Sequence, residues 1–145
     1  MYVFGKDFST QSEKNYRNIK EYAKALEEYY WHFMVTFTTS QYLSKEKARE
    51  KMGNIHSYYS NKLHQYCRIF WVAEPHASGS YHVHALFDTE DKKESTIITA
   101  WNMQFSRKAQ SNNRITIDRY QKGKGGNIYT LKGIHDTKVD YDFEI

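Results

Sequence analysis

The sequence predicts an α+β domain with the element order β, α, β, β, α, β, and three observations predict it. The stretches Trp31 to Thr39 and Arg114 to Tyr120 place apolar residues at every second position, and Val, Ile, Trp, Phe and Tyr dominate both arms of Arg68 to Phe87. Two stretches between them carry apolar residues at helical spacing, and Pro75, Ser78, Gly79 and Ser80 supply a turn inside the second strand region. Period two marks half-buried strands, a period near 3.6 marks amphipathic helices, and a short Pro/Gly/Ser turn between β-branched and aromatic runs marks a hairpin. With 145 residues, the chain is expected to form a single domain, 1–145, with one sheet, covering helices and one core.

Taken in order, Met1 to Ser9 read as a short edge strand. Thr10 and Glu13 form a capping box, after which Tyr16, Ile19, Ala23, Leu26 and Tyr30 recur on one side of a helix. In the first long strand Phe33, Val35 and Phe37 share one face, while His32, Met34, Thr36 and Thr38 share the other. Ser44 caps the next helix, whose stripe Ala48, Met52, Ile55, Tyr59, Leu63 and Tyr66 keeps the helical period despite Gly53. In the hairpin, Tyr81, Val83, Ala85 and Phe87 with Ile69, Trp71 and Ala73 make the greasier face, which helices should cover. Phe70, Val72 and Leu86 make an apolar floor on the opposite face.

Asp88 to Asp91 then start a third helix, with Ile97, Ile98, Trp101 and Phe105 as its buried stripe, and SRKAQSNNR follows as a polar, basic loop. Arg114 to Tyr120 alternates again, with Ile115 and Ile117 inward. Gly123, Gly125 and Gly126 lead into a short helix over Asn127 to Lys132 that Gly133 stops, and Tyr129 and Lys132, three apart, share one side of it. The tail VDYDFEI alternates strictly, as an added edge strand or a pairing strand for a partner would.

Composition narrows the classes. The formal charge is +4 with acidic residues crowded into the tail, so the body is more basic than the total and favours a polyanionic partner. Aromatics make up 17% of residues, thirteen of them Tyr, which suits base stacking and equally suits a small core filled with large side chains. The lone Cys67 leaves no intrachain disulfide and points to a reducing compartment. No apolar run reaches the roughly 18 residues of a membrane span, and no signal-peptide layout opens the chain, so a cytoplasmic protein without membrane association is expected. No GxxxxGK[ST] occurs, which argues against an NTPase.

The chemistry concentrates beside the hairpin turn. His82 and His84 are two apart on a strand, so both imidazoles project from one face. Glu74 ends the preceding arm, and pairing across Pro75 to Ser80 puts it nearly opposite His82. One carboxylate and two imidazoles then form an open three-ligand set for a divalent metal. His76, in the turn, is a rival third ligand.

Three stretches in this order resemble the motifs of the HUH single-strand endonucleases, specifically the rolling-circle replication initiators (Rep) of plasmids and viruses. FMVTFTT is similar to their first strand motif, HVHALF preceded by Glu74 to their metal motif, and Tyr129 with Lys132 to their YxxK nucleophile motif; Trp101 is also typical. Together these stretches run from Phe33 to Lys132, about two thirds of the chain. The resemblance implies a ferredoxin-like antiparallel sheet with helices on one face and a short tyrosine-bearing helix on the metal-site face. It implies Mg or Mn held by Glu74, His82 and His84, and Tyr129 as the residue that becomes linked to a DNA 5′ phosphate. Residues 1–31 are then a helical extension outside the minimal core, and residues 134–145 an acidic edge strand or tail. One motif tyrosine is present rather than two, and no helicase domain is expected to follow.

The function expected on this basis is nicking and joining of single-stranded DNA at a replication origin through a 5′-phosphotyrosine, which initiates rolling-circle replication. Lys132 would stabilise developing charge or orient the DNA. Lys108, Arg114, Arg119, Lys122 and Lys124 are the candidates for meeting its phosphates. A homodimer is the expected partner state, because one tyrosine per chain makes two coordinated cleavages awkward for a monomer; host replication proteins are the further expected partners. Two other classes stay open: a His/His/Glu enzyme using zinc or ferrous iron for hydrolysis or oxygen chemistry, and a nucleic-acid-binding domain without catalysis.

Overall fold

Alternation along each strand sorts the side chains into two layers, and the computed structural model keeps that sorting across the whole sheet. It describes residues 2–3, 6–7, 24, 26–121 and 137–145, with backbone only for the first two pairs. Strands β1 (Tyr2–Val3) and β2 (Lys6–Asp7) pair with each other in a small two-stranded sheet, rather than as an edge of the main one. The helix expected from the Thr10/Glu13 capping box, with Tyr16, Ile19 and Ala23, lies outside the described residues. Lys24, Leu26 and Glu27 are helical.

The main sheet contains β3 (Phe33–Thr38), β4 (Cys67–Pro75), β5 (Tyr81–Thr89), β6 (Arg114–Arg119) and β7 (Asp140–Glu144). Its order is β6-β3-β5-β4-β7 and every pairing is antiparallel. Helix α1 (Lys45–Ser57) joins β3 to β4, and α2 (Glu94–Asn102) joins β5 to β6. The first four strands thus alternate as a ferredoxin-like α+β fold requires, and β7 extends the sheet beyond β4. The tail is therefore an edge strand of its own chain.

One layer is the core proper. Phe33, Val35 and Phe37 of β3, Ile69, Trp71 and Ala73 of β4, and Val83, Ala85 and Phe87 of β5 are buried against Ala48, Met52 and Ile55 of α1 and Ile97, Ala100 and Trp101 of α2. Trp101 stacks on Phe37 with ring centroids 4.3 Å apart, so large aromatic area is removed from water at the layer's centre. Ser44 caps α1 by accepting from the Lys47 amide at 3.1 Å. Arg49 of α1 donates to Asp140 and Asp142 of β7 at 2.7–2.9 Å and lies over Trp71, which fastens the edge strand to the helix layer.

Four local expectations need correction. Tyr30 is 84% exposed, because the helical segment ends near Glu27 and the chain turns; Trp31 is buried instead, its indole N–H donating to the Leu26 carbonyl at 2.7 Å. The α1 stripe stops short of Tyr66, since the helical run ends with the π turn Tyr58–Lys62 and His64 takes φ +53°, so Tyr66 lies in the coil before β4 and is exposed. Asp88 and Thr89 belong to β5, so α2 starts only at Glu94; Ile98 faces outward, and Phe105 packs on the core from beyond the helix end. The basic loop contains a short helix, α3 (Arg107–Gln110), capped by Ser106 and pinned by buried Ala109.

Candidate metal centre

The second layer places the candidate ligands. Phe70, Val72 and Leu86 are buried there with Leu26 and Trp31, and Met34, Tyr120, Tyr141 and Phe143 pack around them. This apolar floor fills one end of the face. Toward the hairpin turn it gives way to polar side chains, since Glu74 stands directly opposite His82, and Val72 opposite His84. The two-residue alternation brings both imidazoles to this face, and the register brings the carboxylate alongside.

Ligand atoms of Glu74, His82 and His84 all lie within 4.8 Å of one another, and among the described residues they form the one such cluster. Nε2 of His84 is 3.4 Å from Oε1 of Glu74, and the rings of His82 and His84 stand edge to face at 4.8 Å between centroids. Donors about 2.1 Å from one ion sit roughly 3.0–3.5 Å apart, so small side-chain rotations close the set. Its composition, two imidazoles and one carboxylate, suits a first-row divalent ion and leaves further positions open.

Electrostatics favour neutral, metal-competent imidazoles. Burial pushes His82 down to about 4, with His84 and His76 adding to the effect. Burial also lowers His84, and His76 adds to it. Both rings therefore keep their lone pairs at neutral pH. Nδ1 of His82 is buried and has no hydrogen-bond partner among the described residues, as expected of a donor atom that awaits a cation.

One contributor escaped the sequence reading. Thr36 of β3 is the cross-strand partner of His84, and its Oγ1 lies 3.1 Å from His84 Nδ1. That contact holds the imidazole with Nε2 toward Glu74, the orienting role that outer partners play around metal-bound histidines. Its signal in the sequence is only a threonine on the His32 to Thr38 face. The pairing of β3 with β5 is what turns it into a partner of His84. His76, by contrast, is exposed and outside the converging set; its ring lies 4.0 Å from that of His82.

The proposed DNA-contacting residues separate. Arg114 pairs with Thr38, so it is exposed on the ligand face at the hairpin-turn end. Arg119 pairs with Phe33, and with His32 and Lys92 it lines a cleft at the far end, on the helix-layer side. The structure does not bring it to the ligands. Lys108 is exposed on α3. Tyr129, Lys132, Lys122 and Lys124 lie outside the described residues, as do Gly123, Gly125, Gly126 and the short helix expected over Asn127 to Lys132. No described helix is long and apolar enough to cross a membrane.

Comparison of the chain with family models, curated proteins and solved structures finds no match.

Proposed function

We propose that this chain is a metal-dependent single-strand DNA nickase and strand transferase of the HUH replication-initiator kind. The observation that carries the reading is the convergence of Glu74, His82 and His84 beside a hairpin turn, on the face of a ferredoxin-like sheet opposite its helix layer. The order of the motifs along the chain, with Tyr129 and Lys132 after the last core strand, adds to it.

Mg or Mn held by these three residues would act as a Lewis acid on a phosphodiester. Glu74 would supply the negative charge that offsets the ion's, and His82 and His84 would supply neutral nitrogen donors. Thr36 holds His84 in orientation. Tyr129, with a free pKa near ~10, loses its proton as its phenolic oxygen bonds to phosphorus in line with the leaving group. The phosphorus–O3′ bond breaks, and the 3′ oxygen takes up a proton. Lys132 offsets the negative charge that builds on phosphate and phenolate. A 5′-phosphotyrosine and a free 3′ hydroxyl result, and attack by a 3′ hydroxyl reverses the step and joins strands. The hydroxyl also provides a primer end, which fits initiation of rolling-circle replication, with a second copy of the chain supplying the second tyrosine.

The test is incubation with a pool of single-stranded DNA labelled at both ends, with Mn, with Mg and with chelator, beside Tyr129→Phe and His82→Ala. The expected outcome is a metal-dependent covalent adduct on the 5′ phosphate that both variants lose. Cleavage that survives Tyr129→Phe, or DNA bound and never cut, would overturn the reading in favour of a hydrolase or a binding domain respectively.

A further inference from the structure

Around the hairpin turn a second feature adjoins the ligand cluster. A cleft of about 640 Å³ is lined by Tyr42, Pro75, His76, Gly79, Tyr81 and Lys138. This is large enough for a nucleoside. It lies at the hairpin end on the side of Tyr81 and borders the metal centre through His76, which lines it and whose ring lies 4.0 Å from that of His82 at 34° between planes.

The wall of this cleft is built rather than incidental. The Tyr81 amide donates to the Leu43 carbonyl at 2.8 Å, and the Leu43 amide to Ser80 Oγ at 3.0 Å, so Leu43, next to Tyr42, is tied twice to the end of the turn. The turn is closed by the His76 amide on the Ser80 carbonyl and by the Gly79 amide on the His76 carbonyl, at 2.8 and 2.9 Å. The Tyr81 hydroxyl donates to the Lys138 carbonyl at 2.6 Å, which ties in the entry to β7. Gly79 has φ +90°, a conformation that favours glycine, and a side chain built there would meet Tyr42 Cε2 at 3.9 Å. Tyr42 therefore lies in contact range of the turn while 71% of it stays open to water.

From this we infer that the cleft is a nucleobase subsite, with Tyr42 as the stacking platform for a nucleotide flanking the phosphate at the metal centre. The assignment rests on the nickase reading for the identity of the strand, and it names where one of its bases goes. The exposed ring sits on a loop already tied to the turn, so a base stacks there with little ordering cost to the protein. Every base has such a face, so the subsite takes any of them, and Lys138 brings positive charge to its rim.

The test is anisotropy titration of fluorescein-labelled dT20 against the full chain in chelator, so that binding is read without cleavage. Tyr42→Ala is expected to weaken binding about tenfold and Tyr42→Phe to stay within about twofold. A strand of equal length with abasic positions throughout is expected to bind wild type and Tyr42→Ala alike, since only a base reports on stacking. Because Tyr42 is exposed, matching thermal melts confirm that the variants fold. Equal dT20 affinity for wild type and Tyr42→Ala overturns the subsite and leaves the nickase reading standing. Normal stacking without metal-dependent adduct formation sinks the nickase reading and keeps the subsite; no binding of dT20 by the wild type sinks both.

Discussion

The two faces of the main sheet differ in how completely apolar side chains occupy them. The helix layer covers one face across its central strands, and its buried residues run unbroken from Cys67 and Phe33 to Ala73 and Phe37. Among the described residues the opposite face is apolar over Phe70, Val72 and Leu86 with Met34, Tyr141 and Phe143 beside them; beyond them stand Thr36, His84, His82 and Glu74. A fully covered face rewards close apolar packing and penalises unpaired polar atoms, so it specifies the fold. A half-covered face can keep polar side chains convergent and accessible, so it can do chemistry.

The comparison breaks most visibly at Trp101. Trp101→Ala should cost about 3–5 kcal/mol of stability, read as a lower urea midpoint. A cost near zero would mean that the helix layer does not carry the fold. On the other face, His82→Ala should abolish Mn binding in titration calorimetry while moving stability by less than about 1 kcal/mol. Undiminished Mn binding would remove His82 from the ligand set. Thr36→Val should leave the fold intact and weaken Mn binding about tenfold by freeing the His84 ring; an unchanged affinity would reduce Thr36 to a packing residue.

The smallest effect concerns the edge strand. Burial acts to raise Asp140, but its hydrogen bonds and charge interaction with Arg49 outweigh this and hold its pKa below the usual carboxylate value. A depressed carboxylate contributes stability that is present above its unfolded pKa, near ~3.9, and lost as pH falls through its folded value. Arg49→Met should therefore cost about 0.5–1 kcal/mol at pH 7, read by denaturant melts. The gap to wild type should close below pH ~4; a gap independent of pH would assign the effect to Arg49 packing on Trp71 instead.

Much of the candidate site was legible before any coordinates. A turn that contains Pro75 and Gly79 and joins two alternating arms leaves little choice of register, and that register puts Glu74 opposite His82. The same alternation assigned Ile69, Trp71 and Val83 to the covered face and Phe70, Val72 and Leu86 to the floor. Helix ends were less legible. Tyr66 and Tyr30 continued a helical period on paper, but in each case the helix ends before the residue, which leaves both outside the core.

By itself, then, the sequence determined what depends on neighbours a few residues apart: strand alternation, hairpin register, the Ser44 cap and the pairing of Glu74 with two histidines. The tertiary structure alone decided what depends on distant segments. It set β3 beside β5, which makes Thr36 a partner of His84, docked β7 on β4 through Arg49, and seated Tyr42 against Gly79. The physical reason is that a backbone period is written in local sterics. Strand order is instead chosen by competition among pairings that bury the most apolar area, and no short window of sequence contains both partners.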